Sequence, residues 1–342
     1  MLEIKNEGIV LEPSGLAFEA EGVLNPTCVK KDGVIHMFYR AVAKGNFSSI
    51  GYCQIKDGKV IERWNKPILR PEFEYEKHGM EDPRITFLEG TYYLFYTAYD
   101  GKNARIAYAT SSDLINFEKK GLLSPSITYD LAEDIFRESV RDRQRYSFFE
   151  KAYRAYNGDD VLLWEKDALL FPKKFNGKYA LIHRVLPGIQ LCLFDSFDDL
   201  NNTNYWVSHL ENLNRNIIMD PVGKHETAYI GGGCPPIETN DGWLFIYHSV
   251  DIVNGQERYQ AAAALLDIRD PRIVIGRLTE PLFVPIEKWE RIGNVNNVVF
   301  PTGAIVVGDV LYIYYGSADK VIAGKSLLLE DLINKLKNNK NK

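Results

Sequence analysis

The sequence contains few of the residues that build disulfide or metal sites. Its four cysteines (Cys28, Cys53, Cys192 and Cys234) are widely separated and form no CxxC pair. Scattered cysteines are typical of buried thiols in a reducing compartment rather than of a disulfide or zinc framework. The chain also shows no spaced cluster of His, Asp or Cys of the kind that metal sites use, so we expect no bound metal.

The sequence also lacks the features of membrane, secreted and nucleic-acid-binding proteins. No apolar run is long enough to span a bilayer, and the first residues lack the basic segment and apolar stretch of a secretory signal. The formal net charge is -5, which gives no basic footprint for nucleic acid. We therefore expect a cytoplasmic protein without membrane or nucleic-acid partners. The oligomeric state stays open, and a homo-oligomer is compatible with the sequence.

Aromatic residues, by contrast, are abundant. They make up 12% of the chain and include 20 Tyr and 5 Trp. Aromatic side chains favour β-strands. Their flat rings also suit a sugar-binding cleft, because they can cover the apolar faces of pyranoses.

One unit recurs along the chain: a tight turn containing Gly, followed by a short apolar and aromatic strand. The turn glycines are Gly33, Gly90, Gly177, Gly242 and Gly308, at intervals of 57, 87, 65 and 66 residues. Asp-Gly or Asn-Gly before alternating apolar residues predicts a β-hairpin, and a second strand usually follows. Five similar antiparallel units at this spacing predict an all-β fold, a five-bladed β-propeller forming a single domain over residues 1–342.

Two segments depart from this pattern. Residues from about 131 to 156 are rich in helix formers and charges, which predicts a helical insertion between blades. Residues from about 325 to 336 alternate Leu or Ile with charges at helical spacing, which predicts a C-terminal packing helix. Neither segment indicates a domain boundary.

Polar residues follow the repeated strands at equivalent positions. Because the loops of a propeller converge at its central channel, we expect these residues to form a polar, hydrogen-bonding cleft. The set comprises Arg40, Tyr99, Asp100, His183, Arg184, Tyr247, His248, Tyr315 and Asp319.

Asp82 is the candidate catalytic acid. It lies in the segment His78–Arg84, directly before Pro83, which predicts an extended backbone at Asp82. A carboxylic acid that donates a proton to the glycosidic oxygen is the common need of glycoside cleavage.

The motif HGMEDPRI resembles the signature of glycoside hydrolase family 130, which contains β-mannoside phosphorylases and related β-mannosidases. Further segments are similar to that family in order and placement across nearly the whole chain, the helical insertion excepted. They include DALLFPKKFNGKYALIHR, IGGGCPPIETNDGWLFIYHSV and VVFPTGAIVVGDVLYIYYGSAD. The resemblance implies a five-bladed propeller, independently of the repeat count.

The resemblance also implies a reaction. Asp82 would be the acid, acting by relay through a sugar hydroxyl, while inorganic phosphate attacks the anomeric carbon of a β-mannoside with inversion and releases α-mannose 1-phosphate. Phosphate is then a co-substrate, and no other cofactor is expected. Because phosphate is its own nucleophile, one protein carboxyl suffices, but cationic donors must hold the anion.

The resemblance places the binding residues as well. Phosphate contacts fall on Lys166, Arg184, His248 and Tyr259, and mannose contacts fall on Arg40, Asp100 and Asp319. The sequence departs from the family pattern at Tyr229, where many phosphorylases have Lys, and Lys166 stands where some members have Arg.

Two alternatives remain open. An inverting β-mannosidase would use Asp82 together with Glu226, which would activate water in place of phosphate. A non-catalytic carbohydrate-binding propeller is the third reading, although a binding protein needs no acid. The linkage and the acceptor sugar are not determined by the sequence.

Overall fold

The computed structural model describes residues 2–139, 143–158 and 160–339, and within these ranges it contains 21 strands and six α-helices. The strands form five consecutive groups of antiparallel strands, called units 1 to 5 below. The protein is therefore mainly β, as the sequence predicts. None of the helices in these ranges is both long and apolar enough to cross a bilayer.

Units 1 and 2 form the N-terminal part of the structure and are joined by a parallel bridge between Ser48 and Gly79. The chain begins with β1 (Lys5–Leu11), which pairs with unit 5. Unit 1 contains β2 (Gly22–Lys31), β3 (Val34–Ala43), β4 (Phe47–Lys56) and β5 (Lys59–Arg63). Unit 2 contains β6 (Gly79–Leu88), β7 (Thr91–Tyr99), β8 (Ala104–Ser111) and β9 (Glu118–Leu122).

Unit 3 is flanked by helices on both sides. Before it come α1 (Tyr129–Ser139) and α2 (Arg143–Asn157). The unit contains β10 (Lys166–Leu170), β11 (Tyr179–Arg184), β12 (Ile189–Phe194) and, after helices α3 (Thr203–Glu211) and α4 (Leu213–Asn216), β13 (Ile217–Met219).

Units 4 and 5 complete the chain. Unit 4 contains β14 (Tyr229–Gly232), β15 (Ile237–Thr239), β16 (Gly242–Val253), β17 (Gln256–Leu266) and β18 (Val274–Arg277). After the short helix α5 (Lys288–Arg291), unit 5 contains β19 (Val299–Val307), β20 (Val310–Ser317) and β21 (Val321–Leu328), with β1 as its fourth strand, and α6 (Leu329–Asn338) follows.

The hairpin turns form where the glycine repeat predicts them. At Asp32-Gly33 and Glu89-Gly90 both turn residues have positive φ, which are 50° and 79° in the first pair and 50° and 85° in the second. Two successive positive φ values characterise the tight hairpin turn that matches strand twist. These turns therefore fix the register of the strands that precede and follow them.

Both faces of the units are buried, as β16 shows. Trp243 and Phe245 pack in a core shared with unit 3, whereas Leu244 and Ile246 pack in a core shared with unit 5. Because successive side chains of a strand point to opposite faces, a continuous apolar run is what a strand between two cores requires. The apolar and aromatic runs after the turns are thus explained by packing on both sides.

The first strands of the units are neighbours in space. β19 contacts β2, β2 contacts β6, β6 contacts β10 and β10 contacts β14. β19 also contacts β16 and β17 of unit 4. This order brings one strand of every unit toward a shared region.

The helix predictions need one correction and one addition. The C-terminal helix begins at Leu329, because residues 325–328 pair with β20 as the end of β21. The insertion predicted at about 131–156 consists of α1 and α2, and its residues 140–142 lie outside the described ranges. Helices α3 and α4 were not predicted. The four cysteines are free and buried, as expected.

A buried charge cluster recurs in four of the five units. In unit 2, the fully buried Glu76 accepts a hydrogen bond from the Tyr96 hydroxyl at 2.6 Å and one from Lys119 Nζ at 2.7 Å. We call such a group a glutamate cluster. The others are Glu19, Tyr39 and Arg63 in unit 1, Glu226, Tyr247 and Arg277 in unit 4, and Glu290, Tyr315 and Lys325 in unit 5. Each buried carboxylate is thereby paired and hydrogen-bonded, which is the condition for burying a charge.

Candidate active site

The first strand of each unit is irregular near its middle. The pairing register shifts between Glu81 and Arg84 in β6, and equivalent shifts occur in β2, β10 and β19. In unit 4 the first strand is divided into β14 and β15 by residues 233–236. A bulge bends a strand and re-aims the side chains beside it, and such bulges are frequent next to active sites.

The bulges place three polar residues in an unusual backbone conformation. Asn25, Asp82 and Asp167 have φ values of 48°, 51° and 58°. This left-handed region is uncommon for residues other than glycine and costs about 1–3 kcal/mol. The prediction of an extended backbone at Asp82 is therefore wrong, since the bulge overrides the local preference set by Pro83. The bulge, rather than an extended strand, directs the Asp82 carboxyl.

These residues line a cavity of about 410 Å³ to which all five units contribute. Its lining comprises Asn25, Arg40, Glu81, Asp82, Tyr153, Trp164, Lys166, Asp167, Arg184, Tyr229, Glu257, Tyr259, Val295, Val298, Phe300 and Asp319. The structure thus brings together six of the predicted site residues: Arg40, Asp82, Lys166, Arg184, Tyr259 and Asp319.

Asp82 lies at the end of the cavity formed by units 1 and 2. Asn25 Nδ2 donates a hydrogen bond to Asp82 Oδ1 at 2.6 Å, and Arg40 lies 3.7 Å from the same oxygen. Arg40 is itself fixed by hydrogen bonds to Glu81 at 2.8 Å and to Ser48 at 2.8 Å. The Asp82 carboxyl group is therefore oriented by Asn25 and Arg40, and Arg40 is itself held in place by its hydrogen bonds.

Lys166 and Arg184 form the cationic part of the cavity. They are register partners on β10 and β11, so their side chains share one face of unit 3. Lys166 Nζ lies 3.4 Å from Glu81, and Arg184 lies 2.8 Å from Asp167. Burial alone would lower the pKa of both groups, but Glu81 raises the pKa of Lys166 overall and Asp167 raises that of Arg184. Both therefore stay positively charged.

Two tyrosines and a histidine complete this part of the site. Tyr259 donates a hydrogen bond to Glu257 at 2.9 Å and also bonds the Tyr229 hydroxyl, and both rings line the cavity. His248, predicted as a phosphate contact, lies outside the cavity lining and is fully buried behind Arg184, with its Nε2 3.2 Å from the guanidinium. Burial lowers the pKa of His248 well below its usual value, so its neutral ring supports Arg184 from behind.

Asp319 contributes a second carboxyl from unit 5. Burial raises its pKa to about 6, the negative charges of Asp82 and Glu81 add to the effect, and Arg40 opposes it. Asp319 also lines a wider neighbouring cavity of about 720 Å³, together with Arg40. These two residues thus stand where the two cavities meet.

The structure places Asp100 and Glu226 away from the cavity lining. Asp100 accepts hydrogen bonds from the backbone N–H groups of Lys102 and Asn103 and so stabilises a turn. Glu226 belongs to the glutamate cluster of unit 4, where it bonds Arg277, Tyr247 and two backbone amides. Burial raises the pKa of Glu226, but the hydrogen bond to His225, the charge of Arg277 and the two backbone amides outweigh it and lower the pKa to about 2. Tyr247 and Tyr315 likewise serve glutamate clusters rather than the cleft.

Several lining residues were not predicted. Glu81 and Asp167 flank predicted residues, and Tyr153 comes from α2 of the helical insertion, packing on Trp164 with ring centroids 4.4 Å apart. A signal for the bulges was present in the sequence. Four of the five turn glycines lie seven residues after a proline. These prolines are Pro26, Pro83, Pro235 and Pro301. Proline removes a ladder donor, so its recurrence marks an interrupted strand.

The chain is similar to known proteins over most of its length. A family model described as beta-1,4-mannooligosaccharide phosphorylase, of glycoside hydrolase family 130, matches residues 15–338. A 1,2-beta-oligomannan phosphorylase from Thermoanaerobacter sp. (strain X514) is 34% identical over 340 residues, covering 96% of this chain and 97% of the relative. A beta-1,2-mannobiose phosphorylase from the same organism is 35% identical over 337 residues, covering 93% and 94%.

A solved structure shows the same fold. The beta-1,2-mannobiose phosphorylase of Listeria innocua, in complex with beta-1,2-mannobiose, aligns with a TM-score of 0.74 at 23% identity and covers 98% of this chain and 100% of that chain. The match of the family model over nearly the whole chain, with relatives of similar length, identifies the family. The chain belongs to glycoside hydrolase family 130.

Proposed function

We propose that this protein is an inverting β-mannoside phosphorylase in which Asp82 is the proton donor and unit 3 binds phosphate. The five units form the blades of a five-bladed β-propeller, a single domain with the cavity at its centre. Support for the closed arrangement comes from contacts between neighbouring units. The first strands of units 5, 1, 2, 3 and 4 contact one another in that order, and β16 and β17 of unit 4 contact β19 of unit 5. Support for the activity comes from relatives that are named as mannoside phosphorylases.

One observation carries this proposal. The Asp82 carboxyl of unit 2 and the Lys166 and Arg184 side chains of unit 3 line the same cavity. A glycosidic oxygen near Asp82 and an anion on the two cations would then face each other across one sugar ring. Arg184 can bind a phosphate through two parallel N–H donors, and Lys166 adds a point charge.

The reaction follows from this arrangement. A phosphate oxygen forms a bond to the anomeric carbon from the side of Lys166 and Arg184, while the glycosidic C–O bond breaks on the opposite side. The departing oxygen receives a proton that originates on Asp82 and passes through a sugar hydroxyl. The products are α-mannose 1-phosphate and the shortened sugar. Tyr259 adds a hydroxyl donor beside the phosphate, and Arg40 and Asp319 bind mannose hydroxyls.

The neighbouring cavity extends the substrate site. It shares Arg40 and Asp319 with the catalytic cavity and also contains Asn46 and Asn294, whose amides suit sugar hydroxyls. We assign the rest of the oligosaccharide to this cavity. Because two similar relatives are named for β-1,2-linked mannan or mannobiose, a β-1,2-linked substrate is the first to test.

The hydrolase alternative finds less support. It requires a second carboxylate that activates water at the sugar, and Glu226 is engaged in a buried cluster instead. The non-catalytic alternative does not explain why Asp82, held by Asn25, shares a cavity with Lys166 and Arg184.

The test is the phosphate requirement of cleavage. A panel of β-1,2- and β-1,4-linked mannosides is incubated with the full-length chain, with and without inorganic phosphate, and the sugars released are separated. We expect mannose 1-phosphate with phosphate and almost no cleavage without it. Free mannose at the same rate in both reactions would support the hydrolase, and no cleavage of any β-mannoside would support the binding protein.

A further inference from the structure

Within the part of the chain that the structure describes, the buried glutamate of unit 3 has no Lys or Arg paired with it, unlike the buried glutamates of the other four units. This glutamate, Glu165, is fully buried and shares a hydrogen bond of 2.7 Å with His183 Nδ1, so His183 stands where the other units have Tyr. Among the described residues, no Lys or Arg forms an ion pair with Glu165, and its Oε1 has no hydrogen-bond partner. Arg184, on the opposite face, is paired with Asp167 instead. The fourth strand, Ile217–Met219, carries no basic residue.

Unit 3 instead brings together three side chains of types that can bind metal ions. His183 Nε2 lies 2.9 Å from His209 Nε2, and Cys192 Sγ lies 3.9 Å from the latter atom. The three ligand atoms all lie within 4.8 Å of one another, and all three residues are buried. The set was not apparent in the sequence because β11, β12 and α3 each contribute one member.

The fold explains why these side chains converge. Leu181 is opposite Cys192 and His183 is opposite Gln190, so His183 and Cys192 are diagonal neighbours on one face of the sheet. Helix α3 covers that face and delivers His209. Lys166 and Arg184, each one residue after Glu165 and His183, point to the other face and into the catalytic cavity.

We propose that His183, His209 and Cys192 bind a zinc-class divalent metal ion, which supplies unit 3 with the positive charge that Arg or Lys supplies elsewhere. Two neutral imidazoles, one thiolate and a divalent ion carry one net positive charge, which balances Glu165. Glu165 behind His183 forms the carboxylate–histidine–metal arrangement that orients metal ligands.

The distances are close to those of a zinc site. Zn–N bonds of about 2.0–2.1 Å and a Zn–S bond of about 2.3 Å at tetrahedral angles separate two nitrogens by about 3.3 Å and nitrogen from sulfur by about 3.6 Å. The observed 2.9 Å and 3.9 Å require shifts of less than an ångström, and the third pair, His183 Nε2 and Cys192 Sγ, lies within 4.8 Å. A hydrogen bond between the imidazoles would also give 2.9 Å, but it does not account for the Cys192 thiol beside both rings.

The site has an entry path and a structural role. His209 lines a cavity of about 230 Å³ together with the exposed Ser208 and Asn212, through which an ion and a water as fourth ligand can enter. The ion joins α3 to the sheet that presents Lys166 and Arg184. No step of the reaction passes through it.

The experiment is metal analysis of the untagged full-length chain. We expect about one zinc per chain after dialysis and, on replacement by cobalt, a thiolate-to-cobalt charge-transfer band in the near ultraviolet. Cys192→Ser should lose the band, and Glu165→Gln should keep it while weakening zinc binding by about 10- to 100-fold. Cys53→Ser is the matched control, since this thiol is equally buried but lies in unit 1.

The wild-type chain decides the question even if a variant fails to fold. A folded wild-type chain that contains no zinc, takes none up on titration and gives no band with cobalt overturns the proposal. A band that persists in Cys192→Ser overturns it as well. Metal content is measured without substrate, so this result is independent of whether the protein phosphorolyses mannosides.

Discussion

Unit 3 differs from the other four units on both of its faces. Units 1, 2, 4 and 5 each bury a glutamate with a tyrosine and a cation, whereas unit 3 has His183, His209 and Cys192 around Glu165. On its cavity face, unit 3 contributes two cations, Lys166 and Arg184, whereas unit 2 contributes Asp82.

The difference shows how a repeated fold acquires a site. The glutamate clusters are structural and recur because each unit must satisfy the same buried carboxylate. Part of the cavity, including Asn25, Asp82 and Asp167, lies on bulges that also recur, but the side chains on these bulges differ from unit to unit. The proposed site therefore uses positions at which the units are alike in backbone and unlike in side chain.

The largest effect should come from comparing substitutions of the two equivalent aspartates, Asp82 of unit 2 and Asp167 of unit 3. Asp82→Asn removes the proposed proton donor and should lower kcat on a β-mannoside by between about 10²- and 10⁴-fold. Asp167→Asn is the matched variant, since Asp167 occupies the same bulge position but pairs with Arg184. It should mainly raise the KM for phosphate. Equal losses of kcat in both variants would argue against distinct roles.

Removing the cation from the glutamate cluster of unit 2 should show how much the paired charge contributes to stability. Lys119→Met leaves Glu76 buried without its countercharge and should lower the free energy of unfolding by about 3–5 kcal/mol. Lys120→Met is the control, because Lys120 forms a surface pair with Glu118 that contributes less than about 1 kcal/mol. Chemical denaturation measures both. Similar stability of the two variants would show that the clusters do not need their cations.

Unit 5 contributes the carboxyl of Asp319 to the cavity, where unit 3 contributes cations. The stability of the folded chain should depend on pH because of this carboxyl. The pKa of Asp319 is raised from 3.8 to about 6, so the folded chain binds this proton more tightly than the unfolded chain does. The resulting stability is complete below pH 3.8 and is lost as the pH rises through 6, by at most about 3 kcal/mol. Asp319→Asn should flatten the decline in denaturation experiments across this range, and an unchanged decline would contradict the assignment.

The smallest effect should distinguish the cations of units 1 and 3. Arg184→Lys keeps the charge and loses the paired donors, so the KM for phosphate should rise by about tenfold while that for the mannoside changes little. Arg40→Lys should do the reverse, since Arg40 lies beside Asp82 and Asp319. Initial rates at varied phosphate and varied mannoside measure both constants. A rise in the same KM for both variants would contradict separate binding regions.

The sequence predicted what local chemistry determines. Paired turn residues such as Asp32-Gly33 revealed the hairpins, and HGMEDPRI revealed Asp82. Long-range effects were not predictable in this way. Glu226 was assigned to the site because it carries a carboxylate near a motif, but its partner Arg277 lies 51 residues away. The His183, Cys192 and His209 group likewise exists only once α3 has packed on unit 3.

The most direct measurement of the central claim compares leaving groups in Asp82→Asn. The dinitrophenolate of a dinitrophenyl β-mannoside can leave without being protonated, whereas the sugar that leaves from mannobiose needs a proton. If unit 2 supplies the proton and unit 3 holds the phosphate, phosphorolysis of the aryl mannoside by Asp82→Asn should stay close to the wild-type rate while that of mannobiose collapses. An equal loss on both substrates would contradict the assignment of Asp82 as the proton donor.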